Sequence, residues 1–476
     1  DVERAVASAH AAFQRTRKIP AFERAGMLTT IGDLLAKRRQ EFVEVIVAEA
    51  GKPVTFAEAE VDRARMTFQF AAAQVLADQG HGINMEASKP GAGHFGLVRR
   101  FPIGVILGIT PFNFPLNLVA HKVAPCLATG NTMVLKPSPR TPLSALLLAE
   151  VLDEAGVPAG QVNVVPFDHS LVAGLLSDSR LKMLSFTGSA EVGWQLKSLA
   201  GKMKVALELG GNAAVIVEPD GDWRAAVPKI ASAAFGFAGQ SCISVQRILV
   251  NREILAPFRE ALVSHTREKI RAGDPAQRDT VVGPMIAPQA REKVLNWINE
   301  ATAGGASLLT PLVTEGRSLL APVLLENVPS SASVLCEEAF APLAVLQGYD
   351  TFEEALALVN DSRFGLQAGL ISNNLSKALQ AFDELEVGGV MINQVPTFRV
   401  ENMPYGGVKD SGVGREGVRH AMEEMEWECE RCTLRNELGV DVCAACGRVR
   451  GSAASASEAS SDSGGEEEGS DGDDYD

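Results

Sequence analysis

What the chain lacks narrows its class first. Across 476 residues no apolar run is long and clean enough to cross a bilayer, and the best stretch, Gly104 to Ala120, is interrupted by Pro111, Asn113, Pro115 and Asn117. No charged-then-apolar leader precedes the first helical pattern, so no membrane partner is expected and the cytoplasm is the expected compartment. No Lys/Arg cluster forms the basic stripe that displaces counterions from phosphate, which argues against a nucleic-acid partner. Cysteine is sparse through most of the chain. Cys126, Cys242 and Cys336 lie far apart, which argues against a disulfide framework and fits a reducing compartment. A strong acid excess is also missing from the body. Of the net charge of −15, −9 belongs to residues 451–476 (nine acids, no bases) and −1 to residues 426–450 (five acids, four Arg), leaving 40 bases against 45 acids in the first 425.

What is present reads as an α/β protein with more than one core, as the length suggests. Residues 1–80 repeat apolar side chains at helical spacing through Ile31, Leu34, Leu35, Phe42, Val45 and Ile46. From Gly104 the texture changes to short β-branched runs (Gly104 to Ile109, Thr132 to Leu135, Val162 to Val165, Lys182 to Phe186, Ala213 to Val217) alternating with helical patterns such as Pro142 to Glu154 and Ala190 to Leu199. Such alternation predicts parallel βαβ units, and a second series from Ala225 to about Met425 predicts a second lobe of similar build. The Gly-rich stretch Gly82 to Pro102 reads as a hairpin, an assembly arm. After Met425 come a short Cys-bearing module and a Ser/Gly/acid tail that cannot bury enough apolar surface to offset its ordering entropy.

Two glycine series, Gly91-x-Gly93-x-x-Gly96 and Gly412-x-Gly414-x-x-Gly417, spell the dinucleotide fingerprint but do not stand between a buried strand and a helix start, so turns or tight packing are expected there. A better anion site is Thr187-Gly188-Ser189, where a strand enters a helix and free N–H groups can hold a pyrophosphate, with Gly193 allowing close approach.

Three further signals carry chemistry. Cys242, in Gly239-Gln240-Ser241-Cys242, sits among small and polar residues like a nucleophile, whereas Cys126 keeps apolar company like a core thiol. Glu208 stands at a strand end beside Gly210 and Gly211, a plausible place for a general base. Asn113, pinned by Pro111 and Pro115, is a rigid amide able to face an oxyanion. None is decisive by itself.

In order, however, Pro111 to Pro115, Lys136-Pro137-Ser138, Phe186 to Ser189, Glu208 to Gly211, Gly239 to Cys242, Glu337 to Pro342 and Pro404 to Glu416 resemble the motif series of the aldehyde dehydrogenase superfamily over residues 1–425. The resemblance implies a Rossmann-like dinucleotide-binding domain (1–81 and 103–210), an oligomerisation hairpin (82–102) and an α/β catalytic domain (211–425). It implies NAD or NADP as cofactor and a small aldehyde as substrate. Cys242 is then the nucleophile, Asn113 the oxyanion donor, Glu208 the base that activates water and Lys122 the assisting lysine. Lys136, with Ser138, would hold the adenosine ribose. Thr187, Gly188, Ser189 and Gly193 would hold the pyrophosphate. Leu209, Gly210, Glu338 and Phe340 would surround the nicotinamide ribose and ring.

Some positions depart from the pattern. Pro139 replaces a Glu common in NAD-preferring members, which leaves NAD versus NADP open, and Phe112 replaces a frequent Trp. An N-terminal segment and the strand that usually follows the helix near Met425 are expected to be missing, which argues against the usual homo-oligomer although the arm remains. Asn117, His121 and the run from Gly239 to Arg247 are similar to members that oxidise small functionalised aldehydes such as lactaldehyde or phosphorylated and phosphonylated ones.

The terminal module, Trp427-x-Cys429-x2-Cys432, then Asn436, then Cys443-x2-Cys446, has the spacing of a four-thiolate Zn²⁺ site and resembles a Ran-binding-protein type zinc finger over 426–450, followed by a disordered tail over 451–476. Thr433 and Leu434 partly match the contact residues of the ubiquitin-binding members of that class, so ubiquitin is the expected partner. A catalytically inactive scaffold that recruits ubiquitin is the rival to the enzyme.

Overall fold

The computed structural model describes residues 1–78 and 80–427. Four helices, Val2–Thr16, Ala21–Lys37, Arg39–Ala50 and Val54–Ala77, open the chain. The helical-period residues Leu28, Ile31, Leu35, Phe42, Ile46, Val61 and Phe68 are buried in one core with Val119, Val123 and Leu127 of the helix Asn117–Thr129.

Two sheets follow, as the α/β pattern predicts. The first has the order Gly412–Val413, Lys204–Glu208, Leu181–Thr187, Val105–Ile109, Thr132–Lys136, Val162–Val164, parallel except for its first strand. Its strands read as continuous apolar runs because helices cover both faces; Val105–Ile109 is buried throughout. The second has the order Ser307–Leu308, Val323–Glu326, Leu343–Tyr349, Val245–Asn251, Ala213–Val217, Gln367–Ile371, Gly389–Ile392, with only Ser307–Leu308 antiparallel.

Register places the expected site. Ile109 pairs with both Lys136 and Phe186, and Thr187 with Glu208, so the Asn113 loop, Lys136, Thr187-Gly188 and Glu208 all leave the first sheet at the carboxyl end of its strands. That end is where open parallel sheets bind ligands.

The Gly82 to Pro102 stretch forms the expected hairpin, His81–Ile83 pairing antiparallel with Gly96–Val98. Both rejected glycine series are packing devices. A Cβ on Gly91 would lie 1.8 Å from the Met85 carbonyl, and one on Gly417 would lie 2.2 Å from that of Met403. One expectation is corrected. Glu426–Trp427 is a short strand that pairs antiparallel with Phe101–Pro102, and the Trp427 ring lies 6.0 Å from that of Phe101. Trp427 therefore packs on the body, not in a separate module, and part of the strand expected to be missing is present. Cys429, Cys432, Thr433, Leu434, Cys443, Cys446 and the tail lie outside the described residues.

The opening helices also supply caps that later helices lack. The helix Leu143–Glu154 has no side-chain cap of its own, but Glu49 accepts the Leu143 and Ser144 N–H groups at 2.7 and 2.9 Å and the Ser144 hydroxyl. Glu60 does the same for the helix Asn117–Thr129, accepting from Leu116 N at 2.9 Å and Asn117 N at 3.1 Å. Since a lost N-cap costs about 1 kcal/mol, Glu49→Ala is expected to lower the urea midpoint by a corresponding amount at unchanged slope; an unmoved midpoint would deny the cap its role.

Candidate active site

Cys242 lies between the helix Trp223–Phe235 and the strand Val245–Asn251 on an unusual turn. Phe237, Ala238 and Gly239 all have left-handed backbones (φ 51°, 55° and 65°), and a Cβ on Gly239 would lie 2.0 Å from the Ala341 carbonyl. Glycine is therefore required there. The Cys242 Sγ is 3.0 Å from the Tyr405 hydroxyl. Burial pushes the thiol up to about 12, against the Tyr405 hydrogen bond, so the resting group is a protonated thiol. Cys126, by contrast, is fully buried among apolar side chains.

Asn113 donates through Nδ2 to the Gln240 carbonyl at 3.0 Å, while its Oδ1 is buried without a partner. Gln240 is fixed in turn, its Oε1 accepting from Ile286 N at 2.9 Å. An amide nitrogen carries two hydrogens, so one remains for another acceptor two residues from Cys242.

Glu208 ends its strand opposite Gly412. Burial and the neighbouring Glu416 raise its pKa well above the ordinary carboxylate range, and its Oε2 has no partner. Glu416 is ionised: burial opposes this, but Lys122 Nζ at 3.1 Å and Arg399 at 3.3 Å hold its pKa low. Lys122 also donates to the Ser185 hydroxyl at 3.0 Å. Arg399 stacks 3.7 Å over the Tyr405 ring. A continuous polar chain thus runs from Lys122 through Glu416, Arg399 and Tyr405 to Cys242, and Glu208 lies close enough that its ionisation would raise the pKa of both Cys242 and Tyr405.

The groups expected around a dinucleotide lie on the adjoining face. Glu338 Oε1 accepts from Gly211 N at 2.9 Å, and burial raises this carboxyl to about 7. Gly210 and Gly211 leave the needed room: a Cβ would lie 2.5 Å from Glu338 Oε2 in the first and 2.2 Å from the Cys242 carbonyl in the second. Phe340 meets Phe112 edge-on at 5.8 Å, and a small cavity is bounded by Gly211, Gly239, Ser241, Glu338 and Phe340. Leu209 is buried against Gly193, where a Cβ would lie 2.3 Å from Leu209 Cδ2. Lys136 is buried, its Nζ 5.6 Å from the Phe167 ring centre, and Ser138 Oγ accepts from Arg140 N at 3.2 Å. No side chain caps the helix Ala190–Leu199. Ser189 stands at the N-cap, exposed, with no side-chain cap bond, and Thr187 Oγ1 is buried without a partner. The unpartnered Thr187 hydroxyl and the uncapped helix start leave polar groups available to an anion such as a pyrophosphate.

A second buried cluster adjoins the first and has residues that the sequence reading passed over. Glu401 accepts from Arg63 Nε and pairs with His121 Nε2, both at 2.5 Å. Burial opposes ionisation, but His121 and Arg63 hold Glu401 well below its usual range. Burial keeps His121 neutral more readily than usual. Arg63 and Arg399 were invisible as site residues because only the fold brings a helix of the opening bundle against the loop before Tyr405. The signal that could have found them is the Arg-x-Glu pair, Arg399 and Glu401, four residues before the recognised Tyr405 motif.

Among the described residues no group of three or more His, Cys, Asp and Glu is placed to hold a metal, and no helix is long and apolar enough to span a membrane. The aldehyde dehydrogenase family profile matches residues 1–427. A 3-sulfolactaldehyde dehydrogenase of Priestia aryabhattai is 42% identical over 429 residues, covering 90% of this chain and 89% of the relative. Among solved structures, aldehyde dehydrogenase 21 of Physcomitrella patens, in complex with the reaction product succinate, is 40% identical with a TM-score of 0.87, covering 90% of this chain and 89% of the other. The glyceraldehyde-3-phosphate dehydrogenase GapN of Methanocaldococcus jannaschii, complexed with NADP, is 35% identical with a TM-score of 0.85, covering 90% and 93%. The family motifs, the two-sheet fold and these likenesses agree, and the chain belongs to the aldehyde dehydrogenase family.

Proposed function

We propose that the chain oxidises a small aldehyde bearing an anionic group to the carboxylic acid, with Cys242 as nucleophile and Glu208 as the base for hydrolysis. The observation that carries this reading is that Cys242 is linked to both other groups: Asn113 bonds to the Gln240 carbonyl two residues before it, and Glu208 lies close enough to act electrostatically on Cys242 and on its partner Tyr405. Glu208, once ionised, takes the Sγ proton and passes it to solvent as Sγ attacks the aldehyde carbon, and the carbonyl oxygen becomes an oxyanion held by the second N–H of Asn113 and the backbone N–H of Cys242. A bound NAD or NADP supplies the hydride acceptor, in a seat formed by Lys136, Ser138, Thr187 to Ser189, Gly193, Glu338 and Phe340. The thioester left on Cys242 is then attacked by water as Glu208 takes the water's proton; the C–S bond breaks and Sγ regains a proton.

Charge supports the anionic substrate. Lys122, Arg63 and Arg399 carry three positive charges against two on Glu401 and Glu416, with Glu208 holding its proton, so one positive charge is uncompensated. The guanidinium donors Arg63 Nη2 and Arg399 Nε are buried with no partner. Buried unpaired donors are costly, and a substrate carboxylate, sulfonate or phosphonate offsets that cost. The relatives' names fit the same chemistry, one a sulfolactaldehyde dehydrogenase and another solved with succinate.

For the segment beyond Trp427 we propose one zinc held by Cys429, Cys432, Cys443 and Cys446, on their spacing alone. About one zinc per chain, lost on Cys432→Ser/Cys443→Ser, is expected by metal analysis; zinc content unchanged by that pair removes the proposal.

An aldehyde panel with NAD and with NADP, followed by nicotinamide absorbance, tests the enzyme reading. Semialdehydes with a carboxylate or sulfonate are expected to exceed uncharged aldehydes of equal length. Cys242→Ala is expected to fall at least about 10³-fold, and parent-like turnover in that variant would refute the nucleophile. Because the Cys242 thiol stands near 12 and Glu208 is raised, both needed deprotonated groups become more available as pH rises, so kcat is expected to climb from pH 6 to 9. A profile that falls over that interval would contradict the assignment.

A further inference from the structure

Outside the reacting groups, one buried ion pair touches both loops that carry them. Lys52 and Glu60 are paired and fully buried, Lys52 on the turn between the helices Arg39–Ala50 and Val54–Ala77 and Glu60 in the second turn of the latter. Glu60 spends its other oxygen on the N–H groups of Leu116 and Asn117, at 2.9 and 3.1 Å, and so fixes the exit of the Asn113 loop. Lys52 points its ammonium at two rings, 3.8 Å from the centre of Phe114 and 4.4 Å from that of Phe237. Phe114 follows Asn113. Phe237 begins the left-handed turn that ends at Cys242, and the two rings meet edge-on at 6.3 Å.

The turn needs such support. Two non-glycine residues in the left-handed region, Phe237 and Ala238, are strained and persist only where their surroundings hold them. A cation over a desolvated aromatic face is attractive, and Lys52 sits over one ring from each loop at once. The backbone around it is equally committed. Val54 N donates to the Pro275 carbonyl at 2.8 Å, and a Cβ on Gly283 would lie 2.3 Å from the Gly51 carbonyl, so the Lys52 turn cannot withdraw without parting from the second half of the chain.

We infer that Lys52 and Glu60 are positioning residues, a buried ion pair that clamps the Asn113 loop and the Cys242 turn together through Phe114 and Phe237. This rests on the reading that Asn113 and Cys242 serve one reacting carbon. Burial works against the Lys52 charge, and Glu60 sustains it, which is why the two act as a unit.

The full chain with Lys52→Met, and with Lys52→Met/Glu60→Gln, tests the clamp by two readouts: steady-state kinetics on the panel's best aldehyde, and the rate of Cys242 alkylation by iodoacetamide well below the thermal midpoint. With the clamp gone, kcat is expected to fall about 10–100-fold while dinucleotide affinity stays within about twofold, since a misplacement near 1 Å costs on that order. Alkylation is expected to rise several-fold as the loosened turn exposes the thiol. The double variant removes both charges, so a role limited to balancing charge predicts recovery toward the parent; the clamp predicts that it stays slow and open. Should neither fold, Phe237→Leu keeps the ion pair, removes one ring and is expected to show the same opposite movements. A folded variant, double or Phe237→Leu, within twofold of the parent in both readouts overturns the inference. A parent inert toward every aldehyde would sink the catalytic reading, and the alkylation comparison would still decide the clamp.

Discussion

The antiparallel pairing of Gly412–Val413 with the Glu208 strand governs where the charged groups of the site lie. It brings the last described part of the chain back across the first sheet. Through it Glu416 reaches Lys122, and Arg399 stacks on Tyr405 over Cys242. The two glycines nearest this contact are there for space. Gly412 sits so close that a Cβ would lie 2.3 Å from the Leu207 carbonyl, and one on Gly406 would meet Glu208 Oε1 at 3.1 Å. The same return carries Tyr405 and Glu416 into contact with Cys242 and Lys122.

The electrostatic arrangement follows from which buried carboxyl groups find cationic or hydrogen-bonding partners and which does not. Glu416 and Glu401 are each held ionised by two cationic or hydrogen-bonding partners, whereas Glu208 has no partner for Oε2 and sits beside the charge of Glu416. Three carboxyl groups within one buried region thus divide into two structural anions and one that holds its proton. A base able to gain and lose a proton near neutral pH needs that division. The Cys242 thiol is likewise protonated at rest, so both reacting groups wait on substrate, cofactor or pH before they ionise.

Much of this was legible in the sequence. The βαβ alternation gives five parallel strands, Val105–Ile109, Thr132–Lys136, Val162–Val164, Leu181–Thr187 and Ala213–Val217, to within a residue or two, because buried parallel strands must be continuous apolar runs, whereas Lys204–Glu208 and the later strands are bounded only by the structure. Local chemistry singles out Cys242, Glu208 and Asn113 (a thiol in polar company, a carboxylate beside glycines, an amide between prolines), but their proposed roles come from the order of the family motifs. What sequence did not show is long-range and turns on contact. Tyr405 on Cys242, Arg63 on Glu401 and Lys52 between Phe114 and Phe237 each join segments far apart in the chain, and no local period records them. The misplacement of Trp427 has the same cause. Its spacing to Cys429 fits a metal module, while its contact with Phe101, more than three hundred residues upstream, ties it to the body.

The central claim is that the Cys242 sulfur and the Glu208 carboxylate act in turn on one carbon. Mass spectrometry of Glu208→Gln, quenched after mixing with NAD or NADP and the best aldehyde substrate of the parent, tests this most directly. The account predicts an acyl group on the peptide containing Cys242, at close to one per chain. Quenched protein with no adduct at Cys242 while product still accumulates at the parent rate would contradict it.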